Sequence, residues 1–299
     1  MILALGMILD ALFGEPKWLW SKAPHPAILM GRSVGYFDRT LNSGTHRKLR
    51  GCLALVLLLL IALLLGLALQ ALPYKIAEVI CLAILLAQRS LVDHVSAVAR
   101  ALRLSLNDGK RSVAMIVGRD TQDMDTSDVS RSAIESAAEN LSDGVIAPIF
   151  WFFLAGLPGL LSYKITNTAD SMIGYKTERH KEFGWASARF DDLLNLIPAR
   201  LTALLIWLTQ PRPNTIQYIR AEAPKHRSPN AGWPEAAAAY NLDVALSGPR
   251  TYDGRKVDYP FVNAGGRKTL GPYDIDAAVR LLWATWALCL FIVIAVSLF

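Results

Sequence analysis

Carboxylates recur at four-residue spacing in the middle of the chain. The segment VSRSAIESAAENL, residues 129–141, is predicted to be a helix capped by Ser127 or Asp128 and ending near Gly144. Glu135, Glu139 and Asp143 then share one side of it, although like charges four residues apart cost roughly 0.2–0.5 kcal/mol per pair. With Asn140 beside them they suit a hard cation such as Mg²⁺. A solvated acidic face is the alternative.

A second polar set lies in YKITNTADSMIGYK, residues 163–176, directly after an apolar patch. At about 100° per residue, one arc of a helix carries Lys164, Asn167, Thr168, Asp170, Ser171 and Gly174. Lysine binds phosphate as a point charge, while carboxylate, amide and hydroxyl oxygens suit Mg²⁺ or a ligand hydroxyl. A membrane-interface helix with snorkelling lysines explains Lys164 and Lys176 but leaves Asn167 and Asp170 unexplained.

Two further clusters could handle charged ligands. In RFDDLLN, residues 189–195, Asp191 and Asp192 open a predicted helix with Asn195 one turn on, although a favourable helix dipole would explain one of the acids. In HRSPNAGWPE, residues 226–235, His226, Arg227 and Ser228 precede an alanine-rich helix. Cations and free N–H groups at a helix start form an anion site. A plain capping loop is the alternative.

Short β structure is predicted at two places. SVAMIV, residues 112–117, is predicted to be a strand that ends in the polar turn Gly118-Arg119-Asp120-Thr121, where Arg119 could contact substrate. An ordinary turn explains these four residues equally well. YDGR, residues 252–255, is predicted to be a hairpin turn.

The elements that position these clusters are membrane helices. The chain has 299 residues, is 53% hydrophobic and has a mean hydropathy of +0.31, with the apolar residues gathered in blocks. Residues 52–72, 76–91 and 281–299 are predicted spans, since about 20 apolar residues cross a bilayer. Residues 1–13 are predicted to form a short core or interfacial helix. The predicted fold is mainly α: a polytopic integral membrane protein with partially inserted helices and a small β element.

The net charge of +6 comes from scattered basic residues, which disfavours nucleic-acid binding and favours a topology signal. Basic residues at both ends of the first hairpin place those ends in the cytoplasm, and Arg280 places the C-terminus outside. The shorter apolar patches, residues 145–161 and 201–208, are predicted to insert partially, because irregular backbone at membrane depth is tolerated where it lines a cavity. The region from about 112 to 256 then faces the cytoplasm.

Other site classes find no support in the sequence. Cys52, Cys81 and Cys289 lie in apolar segments without CxxC spacing, so neither a zinc site nor a disulfide framework is predicted. No phosphate-binding P-loop or G-x-G-x-x-G motif is present. Without repeats or linkers, residues 1–299 are predicted to be one membrane-embedded domain.

Taken together, these motifs resemble one family, the adenosylcobinamide-phosphate synthases of cobalamin biosynthesis. The motifs are GRDT (118–121), ExxxENxSDG (135–144), APIFW (147–151), YKxTNTxDSMIGYK (163–176), ARxDDLLNxIPARLT (188–202), HRSPNAGWPEAAAA (226–239) and GPRTYDG (248–254). They occur in family order over nearly the whole chain, together with DALFGEP and HPAILMGR near the N-terminus.

The resemblance implies an ATP- and Mg²⁺-dependent amide ligase in the bacterial inner membrane, with its active site facing the cytoplasm. Such an enzyme joins the propionate carboxyl of adenosylcobyric acid to aminopropanol or aminopropanol phosphate. A carboxylate does not react with an amine unaided, so ATP would convert it to an acyl phosphate or an acyl adenylate. Both activation routes, and both forms of the amine, stay open.

The resemblance also suggests roles for the clusters. The predicted catalytic residues are Glu135, Glu139, Lys164, Asp170, Asp191 and Asp192. The predicted substrate- or phosphate-binding residues are Arg119, Asn140, Asn167, Ser171, Asn195, His226, Arg227, Ser228 and Asn230. The predicted metal ligands are Glu139, Asp143, Asp191 and Asp192.

The expected partners are the corrinoid, the aminopropanol substrate and the lipid bilayer, with other corrinoid-assembly enzymes and a second copy of the chain as further candidates. The main alternative function is a transporter for an anionic metabolite, because charged residues in membranes also mark transport pathways. Transporters usually show more spans and repeat symmetry than this chain does. A non-catalytic scaffold for corrinoid enzymes is the third possibility.

Overall fold

A computed structural model describes residues 1–252 and 255–298 of the chain. The helices are α1 Ile2–Phe13, α2 Lys17–Trp20, α3 Pro26–Leu41, α4 Arg47–Gln70, α5 Ile76–Leu85, α6 Gln88–Leu104, α7 Leu106–Val113, α8 Thr126–Leu141, α9 Ala147–Ile173, α10 Trp185–Leu194, α11 Leu196–Thr209, α12 Thr215–Glu222, α13 Gly232–Leu242 and α14 Pro272–Val296. The short strands are β1 Leu246–Ser247, β2 Arg250–Tyr252, β3 Arg255–Val257 and β4 Phe261–Val262.

The chain forms two compact units, which we describe separately. Unit 1 contains residues 1–87 and 147–196, and unit 2 contains residues 88–146 together with the described residues from Ile197 onward. The functional coherence of residues 1–299 as one synthase domain stays a prediction.

The prediction of a mainly helical membrane protein is confirmed. Among the described residues, three helical stretches are long and apolar enough to cross a bilayer: α4, residues 126–173, and α14. The pair α10 and α11 adds a fourth if it is counted as one broken span. The N-terminal α1 is apolar but has only 12 residues, in agreement with the predicted short helix.

The predicted span over residues 76–91 is wrong. Helix α5 ends at Leu85, and Leu86 has extended backbone angles (φ −75°, ψ 157°) before α6 begins at Gln88. Ten helical residues rise only about 15 Å, half of the hydrocarbon thickness. The apolar composition of α5 therefore marks a short helix that packs against α1 and α9.

Three predictions around the acidic segment are also wrong. Residues 112–117 form no strand, because α7 extends to Val113 after Ser105 caps its start: the Asp108 N–H donates to Ser105 Oγ at 3.0 Å. Likewise Gly144 does not end a helix, since α8 continues through a π-helical turn, Ser142–Ile146. The cap of α8 is Asp125, which forms a reciprocal capping box with Asp128.

Irregular backbone occurs inside α9, within the patch where it was expected. Ala155 (φ −139°) and Gly156 (φ 59°) leave the helical region, and the freed N–H of Leu157 donates to Gln70 Oε1 at 3.2 Å. Gln70 is the single polar side chain of the apolar run 52–72. A lone amide in a membrane-length helix thus satisfies the backbone of a break in its neighbour.

Gly66→Ala is expected to destabilise unit 1 by about 1–3 kcal/mol, the usual cost of overpacking a close contact. Helices α4 and α9 pack so closely here that a Cβ at position 66 would lie 2.6 Å from Pro158 Cα and 2.7 Å from Pro158 N. Thermal unfolding in detergent should show the loss. The control is Leu64→Ala on the same helix, which alters an exposed position and should change the unfolding midpoint much less. Equal midpoints for the two variants would contradict the tight contact at Gly66.

The small β element of unit 2 places two polar side chains. Strand β1 pairs antiparallel with β4, and β2 pairs antiparallel with β3. The predicted hairpin turn includes Asp253 and Gly254, which lie outside the described residues. Arg131 of α8 ties down the chain before β1, donating from Nε to the Ala245 carbonyl at 3.1 Å. Ser247 and Arg250 are thereby held beside α8.

Candidate active site

Glu135 is the centre of a buried ionic cluster in unit 2. Its Oε2 accepts a hydrogen bond from Arg119 Nη2 at 2.6 Å and lies 3.1 Å from Arg250 Nη2. Its Oε1 accepts the backbone N–H of Ser247 at 2.6 Å. The side chains of Glu135, Arg119 and Arg250 are only 2%, 12% and 6% exposed. Three donors, two of them basic side chains, therefore converge on this one buried carboxyl group.

A second buried carboxyl, Glu235 of α13, lies near the same guanidinium nitrogen of Arg250. Its Oε2 is 3.9 Å from Arg250 Nη2, and its Oε1 is 3.5 Å from His226 Nε2. Burial, together with the charges of Glu135 and Glu139, raises the pKa of Glu235 well above its usual range. Burial and the charge of Arg250 lower the pKa of His226 to about 4. His226 is therefore uncharged near neutral pH, and burial favours the neutral form of Glu235.

A small pocket opens beside this cluster. It is lined by Lys225, His226, Arg227, Ser247, Arg250, Tyr259, Pro260, Phe261 and Val262. Three of these side chains, those of Lys225, Arg227 and Arg250, are basic, and Arg250 also lies 5.7 Å from the Tyr259 ring centre. A concave surface with converging cations favours an anionic group such as phosphate.

The loop that begins at His226 has features of both an anion site and a plain capping loop, the two alternatives that the sequence offered. Ser228 Oγ accepts the N–H groups of Asn230 and Ala231, each at 3.2 Å, so this hydroxyl caps the chain ahead of α13 as a plain capping loop would. Asn230 Oδ1 accepts from Arg200 Nη1 at 3.4 Å. His226 and Arg227, in contrast, line the basic pocket.

The acidic side of α8 is less uniform than its spacing suggested. Glu135 is buried, whereas Glu139 and Asn140 are exposed, and the Asn140 amide donates to the Ser136 carbonyl at 2.8 Å. Asp143 lies in the π-helical turn, which changes the helical register that would have stacked it below Glu139. The structure therefore brings Glu135, Arg119 and His226 into one cluster. Glu139 is exposed but close enough for its charge to act on Glu235, whereas Asn140 lies at the surface.

In unit 1, α9 and α10 assemble a hydrogen-bonded polar network. Asn195 Nδ2 donates to Asp191 Oδ2 at 3.0 Å, and Asn167 Nδ2 donates to Asp191 Oδ1 at 3.4 Å. Tyr163 Oη donates to Asn195 Oδ1 at 3.0 Å. Asp191, Asn195 and Tyr163 are all buried, and Asn167 is half-buried. Asp191 lies near the C-terminal end of α10, so the expectation that it opens a helix was wrong.

The remaining predicted residues of unit 1 are more accessible. Lys164 and Asp170 are half-buried and Ser171 is exposed, all on α9, which ends at Ile173. Gly174 follows directly, and a Cβ at this position would collide with the Asp170 side chain. Asp192 lies 3.7 Å from Arg189. The expected helical placement is confirmed for residues 163–173, whereas Gly174, which was expected on the same arc, lies beyond the end of the helix.

Several residues of the unit 2 cluster had been given no role from the sequence. They are Lys225, Glu235, Ser247, Arg250 and Tyr259. Glu235 and Arg250 lie inside the quoted motifs HRSPNAGWPEAAAA and GPRTYDG, which is the signal that could have identified them. Outside these motifs, Glu235 has the pattern of an acid in the first turn of a helix, and Arg250 has that of an ordinary residue before a turn.

The low pKa of His226 predicts a pH-dependent stability difference. Because the folded protein resists protonation of this ring, its contribution is complete above the unfolded pKa near 6.5 and is lost as the pH falls towards 4. His226→Gln should lack this loss, which amounts to roughly 3 kcal/mol. Unfolding midpoints of both proteins, taken in steps of about one unit from roughly pH 7.5 to roughly pH 4.5, provide the measurement. Parallel curves would contradict the buried, neutral ring.

These features define a class of protein: mainly helical, with membrane-length apolar helices and buried acid–arginine and acid–amide clusters. The family model described as CobD/Cbib protein matches residues 3–282. A cobalamin biosynthesis protein CobD from Brucella anthropi is 45% identical over 99% of this chain and 96% of its own length. The CobD protein of Rhizobium meliloti is 46% identical over 100% and 97%, and that of Rhodobacter capsulatus is 45% identical over 94% and 91%.

The chain therefore belongs to the CobD/CbiB family. No solved structure matches it.

Proposed function

We propose that this protein is an amide ligase of cobalamin biosynthesis, the adenosylcobinamide-phosphate synthase. It would join the propionate carboxyl of adenosylcobyric acid to aminopropanol or its phosphate, using ATP. Full-length similarity to cobalamin biosynthesis proteins supports the pathway. The observation that carries the ligase chemistry is the basic pocket of unit 2 beside two buried carboxyl groups, because every form of this reaction handles phosphate-bearing groups next to a carboxylate.

The side chains offer the functions such a reaction requires. Arg227, Lys225 and Arg250 would bind an anionic group of a substrate, and the donors around Glu135 would keep Arg250 in place. The attacking amine must lose protons to become an amide nitrogen, and Asp191 is the carboxylate proposed to accept one. Its amide partners, Asn167 and Asn195, fix its orientation.

Mg²⁺ enters this proposal from the family resemblance. Among the described residues, no group of three or more histidine, cysteine, aspartate or glutamate side chains is arranged to hold a metal ion. A protein-only metal centre thus does not fit the part of the chain that the structure describes. Mg²⁺ that arrives with nucleotide phosphates needs only one or two carboxylates, for which Glu139, Asp143, Asp191 and Asp192 stay predicted ligands.

The test is purified protein in detergent, supplied with adenosylcobyric acid, Mg²⁺ and either aminopropanol or aminopropanol phosphate, with and without ATP. We expect a product whose mass shows the new amide and which forms only when ATP is present. Folded protein that makes no amide with either amine would contradict the proposal. Uptake of the corrinoid or the amine into proteoliposomes, without conversion, would instead support the transporter alternative.

A further inference from the structure

Two buried carboxyl groups in unit 2 approach the same guanidinium group. Glu135 Oε2 lies 3.1 Å from Arg250 Nη2, and Glu235 Oε2 lies 3.9 Å from the same nitrogen. Their side chains are 2% and 3% exposed. Two carboxylates at this depth, so close to one cation, cannot both ionise without a large cost. The surrounding donors decide which of them holds the charge.

The donors are distributed unequally. Glu135 receives Arg119 Nη2 and the Ser247 N–H, each at 2.6 Å, besides Arg250. Glu235 has no hydrogen bond to Oε2 in the described part of the chain. An ionised carboxylate that is buried with one oxygen lacking a hydrogen-bond donor would lose several kcal/mol of hydration free energy. A neutral acid in the same place loses far less. The unequal donors therefore favour the neutral form at Glu235.

The contact with His226 is compatible with the neutral form of Glu235. The Ser228 N–H donates to His226 Nδ1 at 3.1 Å, so the proton of the uncharged ring belongs on Nε2. That nitrogen is 3.5 Å from Glu235 Oε1, at the outer limit of hydrogen-bond distance. Glu235 Oε1 is thus an acceptor for His226, a function that it can perform as the carbonyl oxygen of a neutral acid as well as in a carboxylate.

We propose that Glu235 is a positioning residue of the basic pocket, holding His226 and flanking Arg250 as a neutral carboxylic acid. Both of its neighbours line the pocket, but Glu235 itself does not. A neutral neighbour leaves Arg250 with one negative partner, so the positive charge of the pocket is not cancelled by a second carboxylate. The pocket can then accept an anionic group carrying phosphate, the chemistry that its cations recognise.

The charged groups around Glu235 all come from unit 2. Glu135 and Glu139 on α8 disfavour its ionisation, while Arg250 and Arg119 favour it. Burial acts in the same direction as the two glutamates and is the largest influence on the pKa of Glu235. These influences together favour the neutral form of Glu235, as the distribution of hydrogen bonds also does.

The first test is infrared spectroscopy of the full-length protein in detergent at neutral pH. The wild type minus Glu235→Gln difference spectrum should contain the C=O band of a protonated carboxyl group. The absence of that band would overturn the neutral form. Asp93→Asn, which alters an exposed carboxylate paired with Arg89, serves as the matched control and should give no such band.

The second test measures binding of inorganic pyrophosphate to the same protein by calorimetry. Glu235→Gln, which preserves both shape and the acceptor for His226, should bind within about threefold of wild type. Glu235→Met, of similar size but without an acceptor, should weaken binding roughly tenfold or more. Arg227→Gln should weaken it as well, since Arg227 lines the pocket.

Each opposite result would overturn the proposal. Binding that is as weak in Glu235→Gln as in Glu235→Met would show that a charged carboxylate is required. Unchanged binding in Glu235→Met would show that Glu235 positions nothing, and a wild type that binds no pyrophosphate would remove the anion pocket.

The inference uses the proposed function only to identify the physiological ligand. Neither the infrared band nor pyrophosphate binding requires turnover. A protein that passes both tests but forms no amide would contradict the ligase assignment alone. An active ligase whose Glu235→Gln variant loses pyrophosphate binding would contradict the positioning role alone.

Discussion

Replacing Glu135 with alanine is expected to lower the free energy of unfolding by about 3–5 kcal/mol, the usual loss when one partner of a buried ion pair is removed. The variant leaves two buried guanidinium groups, those of Arg119 and Arg250, without their shared carboxylate. The Ser247 N–H also loses its acceptor. Chemical denaturation in detergent, followed by tryptophan fluorescence, measures the change.

The matched control for this prediction is Glu182→Ala. Glu182 also pairs with an arginine, Arg47, but its side chain is 50% exposed. An exposed ion pair contributes about 0–1 kcal/mol, so this variant should unfold almost as the wild type does. If Glu135→Ala were equally mild, the cluster in unit 2 would not depend on the charge of Glu135. A loss of amide formation in Glu135→Ala would follow from this instability and would not by itself assign Glu135 a catalytic role.

Replacing Asp191 with alanine is expected to lower the rate of amide formation by roughly 10²–10⁴-fold, the range for loss of a positioned proton-transfer group. Asp191 is buried in unit 1, and both its carboxylate oxygens accept hydrogen bonds from amide side chains. Two amides that direct their N–H groups at one carboxylate hold it in a single orientation. Steady-state turnover with saturating substrates is the measurement.

Two further variants separate chemistry from structure at this position. Asp191→Asn keeps the size of the side chain but cannot accept a proton, so it should be nearly as inactive as the alanine variant. It keeps one of the two acceptors for Asn167 and Asn195, so it should unfold closer to wild type than the alanine variant does. Glu178→Gln, at an exposed position of the chain, should turn over normally. Full activity in Asp191→Asn would exclude Asp191 as the proton acceptor.

Local periodicity was enough to predict much of unit 1. The polar arc of residues 163–173 lies on α9 as expected, because helical spacing alone places Asn167 one turn from Tyr163. The proximity of Asp191 and Asn195 also followed from four-residue spacing. The apolar runs that became α4 and α14 were long enough to be identified as membrane-length helices from composition.

Predictions failed where a distant contact or a local cap outweighed composition. The apolar residues 112–117 resembled a strand, but the Ser105 cap extends helix α7 into them. A glycine near the end of a helical pattern usually stops the helix, yet Gly144 lies within a π-helical turn between α8 and α9. The run beginning at residue 76 could not reveal its break at Leu86, since apolar character continues across it.

The cluster around Glu135 lay beyond sequence reasoning for another reason. Ser247 and Arg250 follow Glu135 by more than a hundred residues, and they meet it only because the short strands are held beside α8. Residue spacing predicted an acidic face on α8. It could not predict that the guanidinium groups of Arg119 and Arg250 would contact Glu135 on that face. Family motifs contained Glu235 and Arg250, whereas their burial and their partners required the fold.

The most direct test of the central claim follows an oxygen atom through the reaction. If ATP activates the corrinoid propionate, a carboxyl oxygen attacks phosphorus, and that oxygen leaves with the phosphate or AMP when the amine nitrogen forms the amide bond. Adenosylcobyric acid labelled with ¹⁸O in this carboxyl should therefore transfer one labelled oxygen to phosphate or AMP for each amide formed, as read by mass spectrometry. Amide formation without label in either product, or no amide from folded protein, would contradict the account.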